Sequence, residues 1–234
     1  MISIVLPVFN EELILKENTL KVFDFCQKNI KEDWQIIISD NASTDKSSQI
    51  AKLLSHEFKQ IRYYHSESKG KGCGVIKAWQ NFKSYIYIFM DIDLSTELKA
   101  LPQLIDGINS GNDLVVGSRF IQGAQVKRLL GRKIISSVLR ILLKLFFKLR
   151  VKDAPCGFKA VNQKVIDNIL PKIQNKTWFF DTEMLILAQR QNYKTKEIPV
   201  VWHESVNQLR KSKVKTTETI KDYLKNIFSL YARK

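Results

Sequence analysis

The sequence of 234 residues has only three cysteines, Cys26, Cys73 and Cys156, far apart and with no CxxC pair among them. That excludes a disulfide framework and a thiolate zinc site, and it fits a reducing, cytosolic setting. Nowhere do about 18 apolar residues run uninterrupted, so a spanning helix is not expected. The chain runs almost at once into an apolar strand, without the basic n-region and cleavage site of a secretory leader, and no signal peptide is expected. Repeats and low-complexity linkers are also missing. A single domain with a C-terminal elaboration is therefore the economical organisation, long enough to bury a full core.

What the chain has in excess is positive charge, a net +15, and it is local. Residues 127–152 carry nine basic side chains and no acid, and residues 205–234 carry eight against two acids. These two segments account for the whole excess, so the remainder is neutral overall.

Short β-branched runs alternate with helical patterns through the first half. Strands are expected at 3–9, 35–39, 61–64, 85–90 and 113–117, and helices near 11–30, 45–58, 74–83 and 97–109. Such alternation predicts an α/β fold with a Rossmann-like, mostly parallel sheet flanked by helices. The nearly unbroken apolar runs QIIIS and YIYIFM read as strands covered on both faces. After residue 120 a basic amphipathic helix is expected first, then the segment 153–160, helices at 162–170 and about 181–191, and a strand at 196–202.

Three features fall at carboxyl ends of expected strands, the edge at which open α/β sheets bind ligands. In Pro7-Val8-Phe9-Asn10-Glu11-Glu12, proline closes the strand. The polar residues after it reach a ligand or simply begin a helix whose dipole favours acids. In Asp40-Asn41-Ala42-Ser43-Thr44-Asp45, Asp40 is placed to accept from ribose hydroxyls or a base N–H, and one of Ser43, Thr44 and Asp45 to cap the next helix. Asp91-Ile92-Asp93 follows YIYIFM. Two unpaired carboxylates ending so apolar a strand call for a counter-charge, which a hard divalent cation shared with phosphate oxygens supplies; an acidic turn is the plainer alternative. Ser68-Lys69-Gly70-Lys71-Gly72-Cys73-Gly74 reads as a phosphate cradle with lysine charge or as a flexible glycine turn, and it matches neither GxGxxG nor the P-loop. Gly117-Ser118-Arg119 offers an arginine at the same edge for a phosphate.

Together these stretches, LPVFNEE, SDNASTD, SKGKGCGV, MDIDLST, VVGSRF, LRVKDAPCGFKA and FFDTEMLILAQRQNYKTKEIPVVW, resemble family 2 glycosyltransferases. Within that family they are similar to the polyprenyl-phosphate hexose synthases, such as dolichyl-phosphate mannose and glucose synthases, from residue 4 to about 202. The resemblance implies a GT-A fold over residues 1–204, with a basic interfacial helix at 127–152, followed by a basic C-terminal helix at 205–234. It implies that Pro7, Phe9 and Glu11, with Asp40, hold the nucleoside of a UDP- or GDP-hexose; Lys71, from the glycine–lysine segment, is expected on the same nucleotide. It also implies that Asp91 and Asp93 bind Mg²⁺ or Mn²⁺ with the diphosphate. Arg119 would face the sugar nucleotide or the acceptor phosphate, making Asp93 and Arg119 the expected catalytic residues. Mannose synthases commonly carry glutamine two residues after the second aspartate; here Ser95 stands there, leaving the third metal ligand open. With the GKG element, this favours the glucose side of the group.

The residues agree with a lipid-phosphate acceptor. Arg132, Ser136, Arg140, Lys144 and Lys148 recur at i+4 and form one polar stripe on an otherwise apolar helix. Such a helix lies in an anionic membrane surface or packs as a core helix with a solvated stripe. The resemblance places acceptor-phosphate contacts on Arg132 and Ser136. A peripheral location on the cytoplasmic, inner face of a membrane follows. A phosphate acceptor needs cationic positioning rather than a base, and its oxygen attacks the anomeric carbon in line, with inversion. A saccharide hydroxyl would need a base, for which Asp181 or Glu183 is the candidate; both equally suit the first turn of a helix. Nucleic acid is not an expected partner, because the basic stripes are interleaved with Leu, Ile and Phe rather than stacking aromatics. A sugar-nucleotide pyrophosphorylase would need a GxGTR-like loop after the first strand, and none is present.

Overall fold

The computed structural model describes residues 1–127, 130–203 and 216–233, the side chains of 127, 130–135 and 216–220 excepted. In chain order its elements are β1 (Ile2–Val8), α1 (Leu15–Asn29), β2 (Trp34–Asp40), α2 (Ser47–Glu57), β3 (Ile61–His65), α3 (Lys71–Asn81), β4 (Ile86–Met90) and α4 (Leu101–Asn109). There follow β5 (Leu114–Ser118), β6 (Gln125–Lys127), α5 (Leu130–Phe147), β7 (Phe158–Asn162), α6 (Gln163–Asn168), α7 (Phe180–Arg190), β8 (Thr195–Pro199), β9 (Val201–His203) and α8 (Thr216–Ala232).

The main sheet runs β3-β2-β1-β4-β7-β5-β8. Every pairing is parallel except those of β7, which lies antiparallel between β4 and β5. The sheet is thus the mostly parallel α/β architecture the alternating pattern predicts. Alternation along a strand sends successive side chains to opposite faces. Ile4 and Leu6 of β1 join α1, α2 and α4 in one core layer, whereas Val5 joins α3, α6, α7 and α8 in the other. The β1 and β2 registers set Val8 beside Asp40, and β3 adds His65 beside Asp40. Three polar segments therefore leave the sheet along one edge.

Besides shifts of a few residues at helix ends, three segments differ from the sequence reading. The segment 153–160 ends in strand β7, whose second residue, Lys159, is fully buried; a lysine there masks the apolar signal. The single strand expected at 196–202 is two. β8 stops at Pro199, which has no N–H for a ladder, and β9 crosses to pair with β6 in a separate two-stranded sheet. The basic helix occupies 130–147 rather than 127–152. Lys148 turns left-handed at φ 49°, and the N–H groups of Lys148 and Leu149 return to Lys144 and Leu143, which closes the helix end.

Helix α8 shares a core layer with α7 through Tyr223, Ile227 and Leu230. Residues 204–215, where the boundary to the expected C-terminal helix falls, lie outside the described residues.

Candidate functional site

Two loops form the rim at the carboxyl edge of β1 and β2, and they are laced together. The backbone N–H groups of Asn10 and Glu11 donate to the hydroxyls of Ser43 and Ser47 at 2.9 and 2.8 Å. The N–H of Thr44 returns to Asn10 Oδ1 at 2.7 Å. Of the three residues considered for capping α2, Asp45 is the one that accepts from the Ser47 N–H, at 2.9 Å.

Behind this rim a cleft of about 440 Å³ opens. Pro7, Phe9, Glu11, Lys71, Asp91 and Asp93 all line it, so the structure brings together most of the residues singled out from sequence. Asn41, Lys69, Thr177 and Trp178 line it as well. Thr177 and Trp178 were missed; their signal was a tryptophan in a polar stretch, Asn175-Lys176-Thr177-Trp178, just before the FFDTE run.

Asp91 has a protein counter-charge, contrary to the unpaired carboxylates the sequence suggested. Lys71 Nζ lies 2.5 Å from Asp91 Oδ1. The ammonium also sits 5.3 Å from the ring centroids of both Phe89 and Trp178, within cation–π range. Desolvation works against the Lys71 charge, but Asp91, Asp181 and Asp93 more than offset it, and its pKa rises. Asp91 is shifted upward too, by desolvation first and then, against the pull of Lys71, by repulsion from Asp93 and Asp181. Its side chain nonetheless keeps 43% exposure to the cleft. Asp93 Oδ1 accepts from the Ser95 N–H at 3.1 Å, which orients it independently of Lys71.

The glycines of the 68–74 segment do not form a backbone phosphate cradle. The N–H groups of Gly72 and Cys73, in the first turn of α3, donate to the carbonyls of Thr177 and Lys176 at 3.1 and 2.8 Å. A Cβ at Gly70, whose φ is +131°, would overlap the Lys176 carbonyl, and one at Gly72 would fall 2.6 Å from Phe180. These glycines let the 176–180 segment pack against α3. The Gly72 and Cys73 amides are thus committed, while the lysines remain for an anion: Lys69 Nζ lies 5.8 Å from the Phe9 ring centroid.

Asp40 and Arg119, both expected at the sugar nucleotide, do not line the cleft. Asp40 is fully buried; it accepts from the Ser43 N–H at 3.0 Å and Tyr63 Oη at 3.2 Å, and meets His65 Nδ1 at 3.2 Å. Its neighbour Asn41 reaches the cleft instead. Arg119 is 9% exposed and grips Asp153 with two parallel bonds of 2.8 Å from Nε and Nη2, while its own N–H donates to the same carboxylate at 2.9 Å. Asp153 outweighs the desolvation of the guanidinium and pushes its pKa up. The guanidinium lies 5.4 Å from the Trp202 ring centroid. Asp153 itself was not singled out from sequence.

The two carboxylates considered as bases are engaged elsewhere. Asp181 Oδ2 accepts from the buried Lys159 Nζ at 2.6 Å. Glu183 is sealed from solvent and accepts from the Gln174 and Asn175 N–H groups and from Arg233 Nη2, at 3.2, 2.8 and 2.9 Å. Ser136 is buried on α5; the side chain of Arg132 lies outside the described residues.

Along α5, Leu143 is buried and Leu139, Leu142, Phe146 and Phe147 pack on the core. Val138, Ile141 and Leu145 face outward at 51, 54 and 71% exposure. Phe146 meets Phe228 and Tyr231 of α8 edge-on, each with centroids 5.3 Å apart. Beyond the helix end lies a hollow of about 580 Å³ lined by Arg140, Lys144, Lys148, Arg150 and Lys152. Among the described residues no helix is long and apolar enough to cross a membrane.

Comparison with known proteins places this geometry. Residues 3–170 match the profile of the family described as Glycosyl transferase family 2. The chain is 31% identical over 205 residues to Glycosyltransferase AglD of Haloferax volcanii, covering 86% of this chain and 33% of that protein. It is 30% identical over 225 residues to the dolichyl-phosphate beta-glucosyltransferase of Saccharomyces cerevisiae, covering 87% and 67%. It is 28% identical over 236 residues to the dolichol-phosphate mannosyltransferase of Pyrococcus furiosus, covering 98% and 63%. The chain thus spans a third of the first relative and about two thirds of the other two. The crystal structure of glucosyl-3-phosphoglycerate synthase from Mycobacterium tuberculosis with Mn²⁺, UDP-glucose and phosphoglyceric acid superposes with a TM-score of 0.70 at 16% identity, over 99% of this chain and 79% of that one. The fold is accordingly the GT-A fold.

Proposed function

The chain belongs to glycosyl transferase family 2, and from that premise we propose that it moves a hexose from a nucleoside-diphosphate sugar to a dolichyl-type polyprenyl phosphate, inverting the anomeric carbon. The observation that carries the reading is the convergence of Asp91, Asp93 and Lys71 on one cleft whose sides are Phe9, Glu11 and Trp178.

The donor set suits a divalent cation. Asp91 and Asp93 offer hard carboxylate oxygens. Mg²⁺ or Mn²⁺ would take these two carboxylates together with its substrate's phosphate oxygens. Such an ion, when bound, offsets charge on the departing nucleoside diphosphate. Lys69 and Lys71 supply further positive charge to the diphosphate. Phe9, Pro7 and Trp178 exclude water along the apolar sides of the cleft, and Glu11 contributes a polar contact near the nucleoside.

The acceptor class is taken from the yeast relative, a dolichyl-phosphate beta-glucosyltransferase. A phosphate monoester is already anionic, so it needs positioning rather than a base. The engagement of Asp181 by Lys159 and of Glu183 by Arg233 fits a site without one. Arg119, held by Asp153, forms the acceptor-phosphate side with Arg132 and Ser136 of α5. The exposed Val138, Ile141 and Leu145 and the basic hollow beyond them support docking on an anionic membrane surface, here assigned to the inner face. Ser95 in place of glutamine supports glucose, and so UDP-glucose over GDP-mannose.

The test is incubation of the protein with Mg²⁺, polyprenyl phosphate in mixed micelles and, in turn, radiolabelled UDP-glucose, UDP-GlcNAc and GDP-mannose. Butanol-extractable label from one donor is the expected outcome. Absence of lipid label from all three, alongside transfer to a soluble saccharide, would overturn the acceptor and leave the transferase.

A further inference from the structure

Lys71 occupies one of the two Asp91 oxygens that a metal ion there could use. An ammonium 2.5 Å from Asp91 Oδ1 and a cation at about 2.1 Å from the same atom cannot share that side of the carboxylate. We infer that Lys71 is a resident counter-cation which holds the metal's seat on Asp91 and vacates it for the donor's diphosphate, so that nucleotide and metal bind cooperatively. The inference rests on the metal-dependent reading above.

Four observations carry it. Lys71 is the first residue of α3, so its backbone is fixed while its four-carbon stem can swing the charge. Beyond Asp91 the ammonium sits over the rings of Phe89 and Trp178, which attract a cation without fixing it by hydrogen bonds, and it feels Asp181 and Asp93 through longer-range attraction. Trp178, Lys71, Asp91 and Asp93 line the same cleft, so a diphosphate entering there passes within reach of the ammonium. Finally, Asp93 is oriented by the Ser95 N–H and so stays in place when Lys71 leaves.

The exchange has a thermodynamic consequence. Without nucleotide, a metal must displace Lys71 from Asp91, its one hydrogen-bonded partner there, and leave it with the two rings and the longer-range attraction of Asp181 and Asp93. With a diphosphate present, the ammonium moves to phosphate oxygens and the Asp91 oxygen is open. By linkage, metal must strengthen nucleotide binding by the same factor.

Calorimetric titration of MnCl₂ into the protein, with and without saturating UDP (and GDP in parallel) at fixed ionic strength, measures that factor. In Lys71→Met, Mn²⁺ alone should bind about tenfold tighter than in the native protein, UDP alone should bind more weakly, and the coupling factor should shrink on the order of tenfold. Lys71→Arg, which keeps the charge, should retain most of the native coupling. Lys71→Gln serves if the methionine variant does not fold, folding being checked by thermal melting. Coupling equal within about twofold in native and charge-removed proteins would overturn the exchange. Failure of the native protein to bind Mn²⁺ even with nucleotide overturns the metal-dependent reading itself, a distinct result.

Discussion

Gly157 supports Asp91 from behind, so closely that a methyl group added there would overlap the carboxylate. The Gly157 carbonyl also accepts the Asp91 N–H at 3.1 Å. Gly157→Ala should therefore turn the carboxylate out of place without opening the core. A misplacement of about 1 Å costs roughly 100-fold in rate. We expect kcat/KM to fall about that much while Tm drops by less than about 4 °C, the shift of roughly 1 kcal/mol in a chain of this size. A normal kcat/KM would show that Asp91 tolerates displacement.

Removal of the metal is the second expectation. Activity should vanish in EDTA and return on addition of Mn²⁺ or Mg²⁺. Asp93→Asn should lower kcat by about 10²–10³, the range seen when one preorganised stabilising group is lost. Retention of full rate in EDTA would exclude the role given to Asp91 and Asp93.

Much of this was legible in the sequence, for physical reasons. The strands β1, β2 and β4 are covered on both faces, so their apolar runs stand out, and the polar residues ending them mark the binding edge. Lys159 and Asp181 were not legible as a buried pair. A charge that satisfies another charge 22 positions away looks, in sequence, like any solvated charge. The same holds for Asp153, whose partner Arg119 lies 34 positions away. The 68–74 glycines pointed to phosphate because their need for space is visible, while the segment filling that space, 176–180, is about a hundred residues distant.

The Arg119–Asp153 pair yields a stability expectation. Asp153 is fully buried and holds both the backbone and the side chain of Arg119. Asp153→Ala leaves a guanidinium that is 9% exposed in the native protein without its paired carboxylate, a loss of about 3–5 kcal/mol. Urea denaturation of the variant should show it as a lowered midpoint. A loss below about 1 kcal/mol would mean that Arg119 finds other partners.

Burial pushes the Cys26 and Cys156 thiols from 9.0 up to about 12. The unfolded chain releases these protons near pH 9, whereas the folded chain holds them until about pH 12. Their contribution is therefore complete below pH 9 and lost as pH rises toward 12. Tm should fall across this window, and less steeply in a Cys26→Ala, Cys156→Ala double variant. Neither thiol should react with a thiol reagent in the native protein at neutral pH. Prompt labelling of either would contradict the burial.

Outward positions on α5 separate docking from folding. Ile141→Glu with Leu145→Glu touches side chains that are 54 and 71% exposed. Tm should stay within about 2 °C, in keeping with surface substitutions, while co-sedimentation with vesicles containing phosphatidylglycerol should be lost. Unchanged sedimentation would remove α5 as the docking face.

The placement of β7 sets the order in which this protein can mature on the ribosome. β4 and β5 are made first but do not touch each other; the strand that joins them, Phe158–Asn162, emerges some forty residues after β5. A nascent chain that has reached residue 150 has its first strands but a slot through the middle of its sheet, with unpaired edges on both sides of it. Such edges invite pairing with another chain during synthesis. Ribosome-bound intermediates of that length should be the species that chaperones hold, and release should follow closely on the emergence of residues 158–162.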